Sequence, residues 1–196
     1  MRRTSLSGKT GATVGVIGLA LLSVLGGSMA QEEAAPAATA TPGPVVTDFG
    51  AVYDVPAAAD LGRRTKGFKA IFDVAASPED PAALNRRIET AARFLNMHAR
   101  AGYSRHRNRA VIVLHGAAAK DALSDAAYQE RHGTDNPNSA LLAALREAGV
   151  EIYLCGQSAA YNGYAPEDLN GSVELSLSAM TALIEYQSLG YGLIAF

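Results

Sequence analysis

The chain has 196 residues and 48% apolar side chains, enough for one domain that buries a real core. Its formal net charge of −2 becomes −5 once residues 1–30, with the three cations Arg2, Arg3 and Lys9 and no acid, are set aside. A mildly acidic surface of that kind argues against nucleic acid, whose phosphates need clustered cations, and against attachment to anionic lipid.

At the N-terminus Arg2, Arg3 and Lys9 form a positive segment, residues 11–27 are apolar and uncharged, and Ser28-Met29-Ala30 places small residues where signal peptidase reads. This predicts a cleaved signal peptide over residues 1–30. The apolar run is short for a membrane span, and Gln31-Glu32-Glu33 follows it without a basic stop-transfer flank. Arg2-Arg3 followed by Leu6 is a partial twin-arginine pattern, with Ser5 where an aromatic is usual, so the Sec and Tat routes both stay open. The mature chain is expected to be periplasmic or secreted, with no membrane attachment after cleavage.

Residues 31–44 are rich in Ala, Pro and Thr without a hydrophobic period, and read as a disordered linker. Residues 45–66 scatter Val45, Phe49, Val52, Tyr53, Val55 and Leu61 without helical spacing, and read as an extended arm lying over the domain or a neighbouring subunit. Residues 67–196 form the domain proper. Phe68 to Val74 is a first strand. Ser77 is placed to cap a helix with Pro78 at its first position and Leu84, Ile88, Ala91, Ala92, Leu95 and Ala99 at helical spacing, ended by Gly102.

Ala110 to Leu114 is a nearly continuous apolar strand, closed by His115-Gly116. Short helical pieces follow around residues 117–123 and 125–132, and residues 138–148 form a helix with Leu141, Leu142 and Leu145 on its buried stripe. Val150 to Leu154 is the third strand and carries Cys155-Gly156 at its end. Val173 to Leu177 is a fourth strand, residues 178–189 a helix, and Tyr191 to Phe196 a fifth strand. The alternation predicts an α/β fold with an open, mainly parallel sheet and helices on both faces.

In such sheets the reactive crevice lies beyond the carboxyl ends of the strands. Two ends carry reactive side chains, His115 with Gly116 and Lys120 after the second strand, and Cys155 with Gly156, Gln157 and Ser158 after the third. One cysteine cannot form an internal disulfide, and in an oxidising compartment a lone thiol is buried and inert, paired between chains, or kept for chemistry. A sulfur nucleophile works as its thiolate, which exposed backbone amides, Lys120 or protonated His115 would favour, while Gln157 and Ser158 could donate to the anion. The opposing reading is a small buried hydrophobe at a strand end. Asn96, near the end of the first helix, is the further candidate for reaching the crevice. Cys155 and the four histidines lack zinc spacing, so no metal is expected, and Arg105, Arg107 and Arg109 read as a solvated rim.

The run Gly149-Val150-Glu151-Ile152-Tyr153-Leu154-Cys155-Gly156-Gln157-Ser158-Ala159 resembles the cysteine segment of DsrE/DsrF-like (YchN-like) proteins. Val111 to Gly116, Ala92 to His98 and the ending from Ser178 through Gly190-Tyr191 resemble that family as well. The resemblance covers residues 67–196. It implies a three-layer α/β/α fold with a mainly parallel five-stranded sheet, a homo-oligomer, no cofactor, and a cysteine that holds a persulfide and exchanges it with sulfur donor and acceptor proteins. The leading expectation is a periplasmic sulfur-relay or sulfurtransferase-like carrier using Cys155. The alternatives are a non-catalytic small-ligand module with a packing or redox-sensing cysteine, and a structural subunit that clasps its neighbour with the arm.

Overall fold

The computed structural model describes residues 38–61 and 67–196. The expected signal peptide, most of the expected linker and residues 62–66 of the arm lie outside the described residues. Runs rich in β-branched and aromatic residues form the strands. β1 (Lys69–Val74) and β2 (Arg109–Leu114) are buried along nearly their whole length, as central strands of a parallel sheet must be. β3 (Glu151–Cys155), β4 (Glu174–Ser176) and β5 (Gly192–Ala195) complete a sheet of order β4-β3-β2-β1-β5 in which every neighbouring pair is parallel.

The helices are α1 (Arg86–Arg100), α2 (Asp125–His132), α3 (Ser139–Glu147), α4 (Gly156–Asn162) and α5 (Ala179–Ser188). Strand order explains the layers. From β1 through β4 the chain always steps in one direction, and right-handed crossovers place α1 and α3 on one face. The last step runs back across the sheet to β5, so α5 falls on the opposite face. Phe72, Ile112, Leu114 and Leu154 meet Ile88, Leu95, Leu141 and Leu145 in the main core. Ile71, Val111, Val113 and Cys155 meet Ala179 and Ala182 of α5 in a smaller one. The three-layer α/β/α arrangement agrees with the sequence expectation, and the five-stranded sheet is wholly parallel.

The first helix starts later than its pattern suggests. α1 is capped by Asn85, whose side chain accepts from the Arg87 amide at 3.0 Å. A helix begun at Ser77 would need the Pro81 nitrogen as its first internal donor, which proline lacks. Ser77 instead donates to the buried carboxylate of Asp121 at 2.8 Å, and Asn85 Nδ2 donates to its other oxygen at 2.7 Å. That pair ties the 77–85 loop to the 3₁₀ segment Gly116–Ala122.

The arm is shorter in reach and begins earlier than its composition implies. Thr41 lies in the stretch read as linker, yet it pairs with Val52 through two N–H···O bonds of 2.9 Å. The arm lies on α1 of its own domain, and Asn96 is the clamp. Its Oδ1 accepts from the amides of Val45 (3.0 Å) and Val46 (2.9 Å), and its Nδ2 donates to the carbonyls of Val46, Phe49 and Gly50 at 2.8–3.1 Å. A Cβ at Gly43 would stand 2.0 Å from the Asn96 side chain, so this approach requires glycine. Replacing the fully buried Asn96 by Ala leaves several backbone groups without partners and should cost about 2–4 kcal/mol. Denaturant unfolding should show the loss, and limited proteolysis should cut the arm first; an unchanged midpoint would show that the clamp contributes nothing.

Candidate functional site

Three adjacent strands end side by side. Ile71 of β1 and Val113 of β2 lie on the α5 face with Cys155, and strand alternation puts Asp73 and His115 on that face too. Leu114 pairs with Leu154, so the next residues, His115 and Cys155, stand on neighbouring strands about 4.8 Å apart in backbone spacing. The row runs Asp73, His115, Cys155 across β1, β2 and β3. Asp73 Oδ1 holds His115 Nε2 at 2.6 Å, with both side chains about one quarter exposed.

Cys155 is 5% exposed and is the N-terminal capping residue of α4. Burial pushes its thiol up. The Ser158 hydroxyl and the amides of Ser158, Ala179 and Gln157 are donors around the sulfur that favour its thiolate; together they outweigh burial and hold the thiol below its ordinary range. Ser158 is itself positioned from the neighbouring strand end, because its Oγ accepts from the Gly116 amide at 3.1 Å. Gly116 has φ 56°, a left-handed backbone that permits this turn straight off β2. At Gly156 a Cβ would come 2.6 Å from the Ser176 carbonyl, so only glycine lets α4 start so close to β4.

Of the residues expected in the crevice, the structure brings together Cys155, Gly156, Gln157, Ser158, His115 and Gly116. Lys120 is turned away: its Nζ donates to the Pro78 carbonyl at 3.1 Å and lies 3.4 Å from the Tyr128 hydroxyl, beyond reach as the cation of the site. Asn96 is absorbed by the arm. Neither Lys120 nor His115 is among the strongest influences on the thiol, which are burial and neutral donors. Gln157 contributes its backbone amide, while its side-chain Nε2 points to the Leu177 carbonyl at 3.4 Å. A cavity of about 480 Å³ opens beside these residues, lined by Gly116, Ala117, Gln157, Ser158, Tyr161 and Asn162.

Two contributors escaped the sequence reading. Asp73 was visible only as a lone acid inside an apolar strand, at the end where sites form. The Ala179 amide had no signal at all, because it acts through its backbone at the start of α5. Among the described residues, no group of three or more His, Cys, Asp or Glu side chains could hold a metal ion.

The fold and this strand end define a single-cysteine α/β protein whose thiol stands where β3 ends and α4 starts, beside the start of α5. The chain belongs to the DsrE/DsrF-like family, which is associated with sulfur relay; the family model matches residues 69–196. It is similar in structure to the MTH1491 protein of unknown function from Methanobacterium thermoautotrophicum, at 16% identity over 66% of this chain and 99% of that one, with a TM-score of 0.50. The ychN protein from E. coli is 15% identical over 66% of this chain and 99% of its own, with a TM-score of 0.45. No curated protein matches the chain.

Because the donors favour the thiolate, an ultraviolet thiolate titration, with the Cys155→Ser variant as blank, should show Cys155 ionising below the range of a model thiol. Ser158→Ala should move the midpoint upward, since burial remains while the first of the lowering hydrogen bonds is gone. A midpoint that does not move would remove Ser158 from the sulfur's partners.

Proposed function

We propose that this chain is an exported sulfur-relay carrier that holds a persulfide on Cys155 in the periplasm or outside the cell. The observation that carries the reading is the cysteine that ends β3 and starts α4, where donors from Ser158, Gln157 and Ala179 hold its thiol below the ordinary range. Residues 2–30 support export through their charge and apolar pattern. The Cys155 thiolate attacks the outer sulfur of a donor persulfide, R–S–SH. The donor's S–S bond breaks, the outer sulfur with its proton passes to Cys155 as Cys–S–SH, and the donor leaves as its thiolate, with no net oxidation. An acceptor thiolate then takes the same sulfur and restores the Cys155 thiolate. His115, held through Nε2 by Asp73, has Nδ1 left for proton exchange with the leaving thiolate. The transfer needs no cofactor.

Purified mature chain and Cys155→Ser should be incubated with a persulfide-loaded rhodanese and weighed intact. The wild type should gain the mass of one sulfur and lose it to an acceptor thiol, and the variant should gain nothing. One observation favours a second reading, a ligand-binding module with a packing cysteine: Cys155 is only 5% exposed. Absence of loading together with slow alkylation of the native thiol would select that reading.

The carrier is proposed to work as a homo-oligomer. Met180 and Ile184 on α5 are about 70% exposed, and Leu177 is 73% exposed beside them, an apolar surface over the thinly covered face of the sheet. Ile184→Glu should lower the mass in solution, read by light scattering, without lowering the thermal midpoint of the monomer. An unchanged mass would place any assembly elsewhere.

A further inference from the structure

We propose that a second site, at the amino end of the sheet, binds a small oxyanion that keeps a proton, of the size and chemistry of hydrogen phosphate. A cavity of about 210 Å³ lies there between the starts of β2 and β3 and the carboxyl end of α3. Arg105, His106, Asn108, Arg109 and Glu147 are in its lining. It is smaller than the ~300 Å³ at which pockets begin to hold drug-sized ligands, so the fit is to a small ion. Cys155 lies at the opposite end of β3, and the sulfur-relay reading uses none of these residues.

Two independent features point to an anion. The side chains of Arg105 and His106 have no ion-pair or hydrogen-bond partner among the described residues, in a chain whose overall balance is acidic. Beside them Asn108 is 4% exposed, and its buried Nδ2 has no hydrogen-bond partner. The amide cannot be turned to remedy this, because Oδ1 already accepts from the Phe68 backbone N–H at 3.1 Å. A buried donor without an acceptor is rare in folded proteins, and an acceptor in this cavity would satisfy it. The Arg105 guanidinium suits the planar face of an oxyanion, and the His106 ring can add a donor.

Glu147 sets the ligand's character. Its carboxylate and the carbonyl end of α3 share the lining and oppose a fully ionised anion. An oxyanion that retains an O–H can donate to that side while its other oxygens face Arg105 and Asn108. Hydrogen phosphate meets both demands, and sulfate, with no proton at neutral pH, meets only one.

The test is calorimetric titration of the purified mature chain with inorganic phosphate at fixed ionic strength, with sulfate as the parallel arm. The Asn108 side-chain amide is followed by nuclear magnetic resonance. One saturable phosphate site is expected, with sulfate at least several-fold weaker and a shift of the Asn108 amide signal on binding. Arg105→Ala, at an exposed position, should weaken phosphate by tenfold or more. Asn108→Asp keeps the acceptor for Phe68 but loses the donor, and should do the same. Cys155→Ser should bind as the wild type does, which separates this site from the fate of the sulfur-relay reading. No saturable binding, wild-type affinity in the arginine variant, or equal binding of sulfate would each overturn the proposal.

Discussion

Burial and ionisation oppose each other at Cys155, and the balance between them organises the rest of the site. A cysteine that is 5% exposed loses much of the water that would stabilise its anion, so burial at a strand end favours an inert thiol. Here the lost water is replaced by fixed donors from separate parts of the fold. The Gln157 and Ser158 amides are available because Cys155 starts α4, and the Ala179 amide because α5 starts over the same strand end. The Ser158 hydroxyl is aimed by the backbone of Gly116 at the end of β2. Acidity at the sulfur is therefore a property of how β2, β3, α4 and α5 meet, and a displacement of any of them changes it.

The same meeting depends on chain handedness. Three crossovers in one direction spend α1, α3 and α4 without covering the second face of the sheet, and a single return crossover leaves only α5 for it. Tyr186 of α5 fixes that helix by donating to Glu151 at 2.6 Å, with Tyr153 bonded to both. One ten-residue helix cannot cover five strands. Asp73 and His115 therefore remain partly open to solvent, and apolar side chains of α5 remain exposed. The accessibility that chemistry needs and the apolar surface that assembly would need have one cause.

Much of this was legible in the residues and some of it could not be. Apolar runs with the right spacing located all five strands, and the strand-end rule singled out Cys155 and His115 before any contact was known. What failed was reach. Lys120 follows His115 by five residues, but the 3₁₀ segment carries it round to Pro78 and Tyr128, because a side chain's direction after a strand depends on turns that composition does not encode. Asn96 sits on a helix and serves the arm, a partner too irregular to leave a periodic signal. Asp73 and the Ala179 amide matter through long-range pairing and through backbone, neither of which a local pattern records. Pro81 lacks the N–H that a helix begun at Ser77 would need, which is the physical reason that α1 starts at Arg86.

Neutral donors in place of a cation have a consequence for a carrier. Lys120 beside the sulfur would hold any anion there through a charge that falls off slowly with distance. Hydrogen bonds act over a narrow range and angle, so they favour charge at the position of the Cys155 sulfur itself. In a persulfide the charge sits on the outer sulfur, about 2 Å further out, at the usual length of a sulfur–sulfur bond. The donors from Ser158, Gln157 and Ala179 would then lose much of their grip on the charge. On the carrier reading the resting thiolate is stabilised more than the loaded state. That ordering suits a protein that must give its sulfur away, and it makes release depend on the short reach of a few hydrogen bonds.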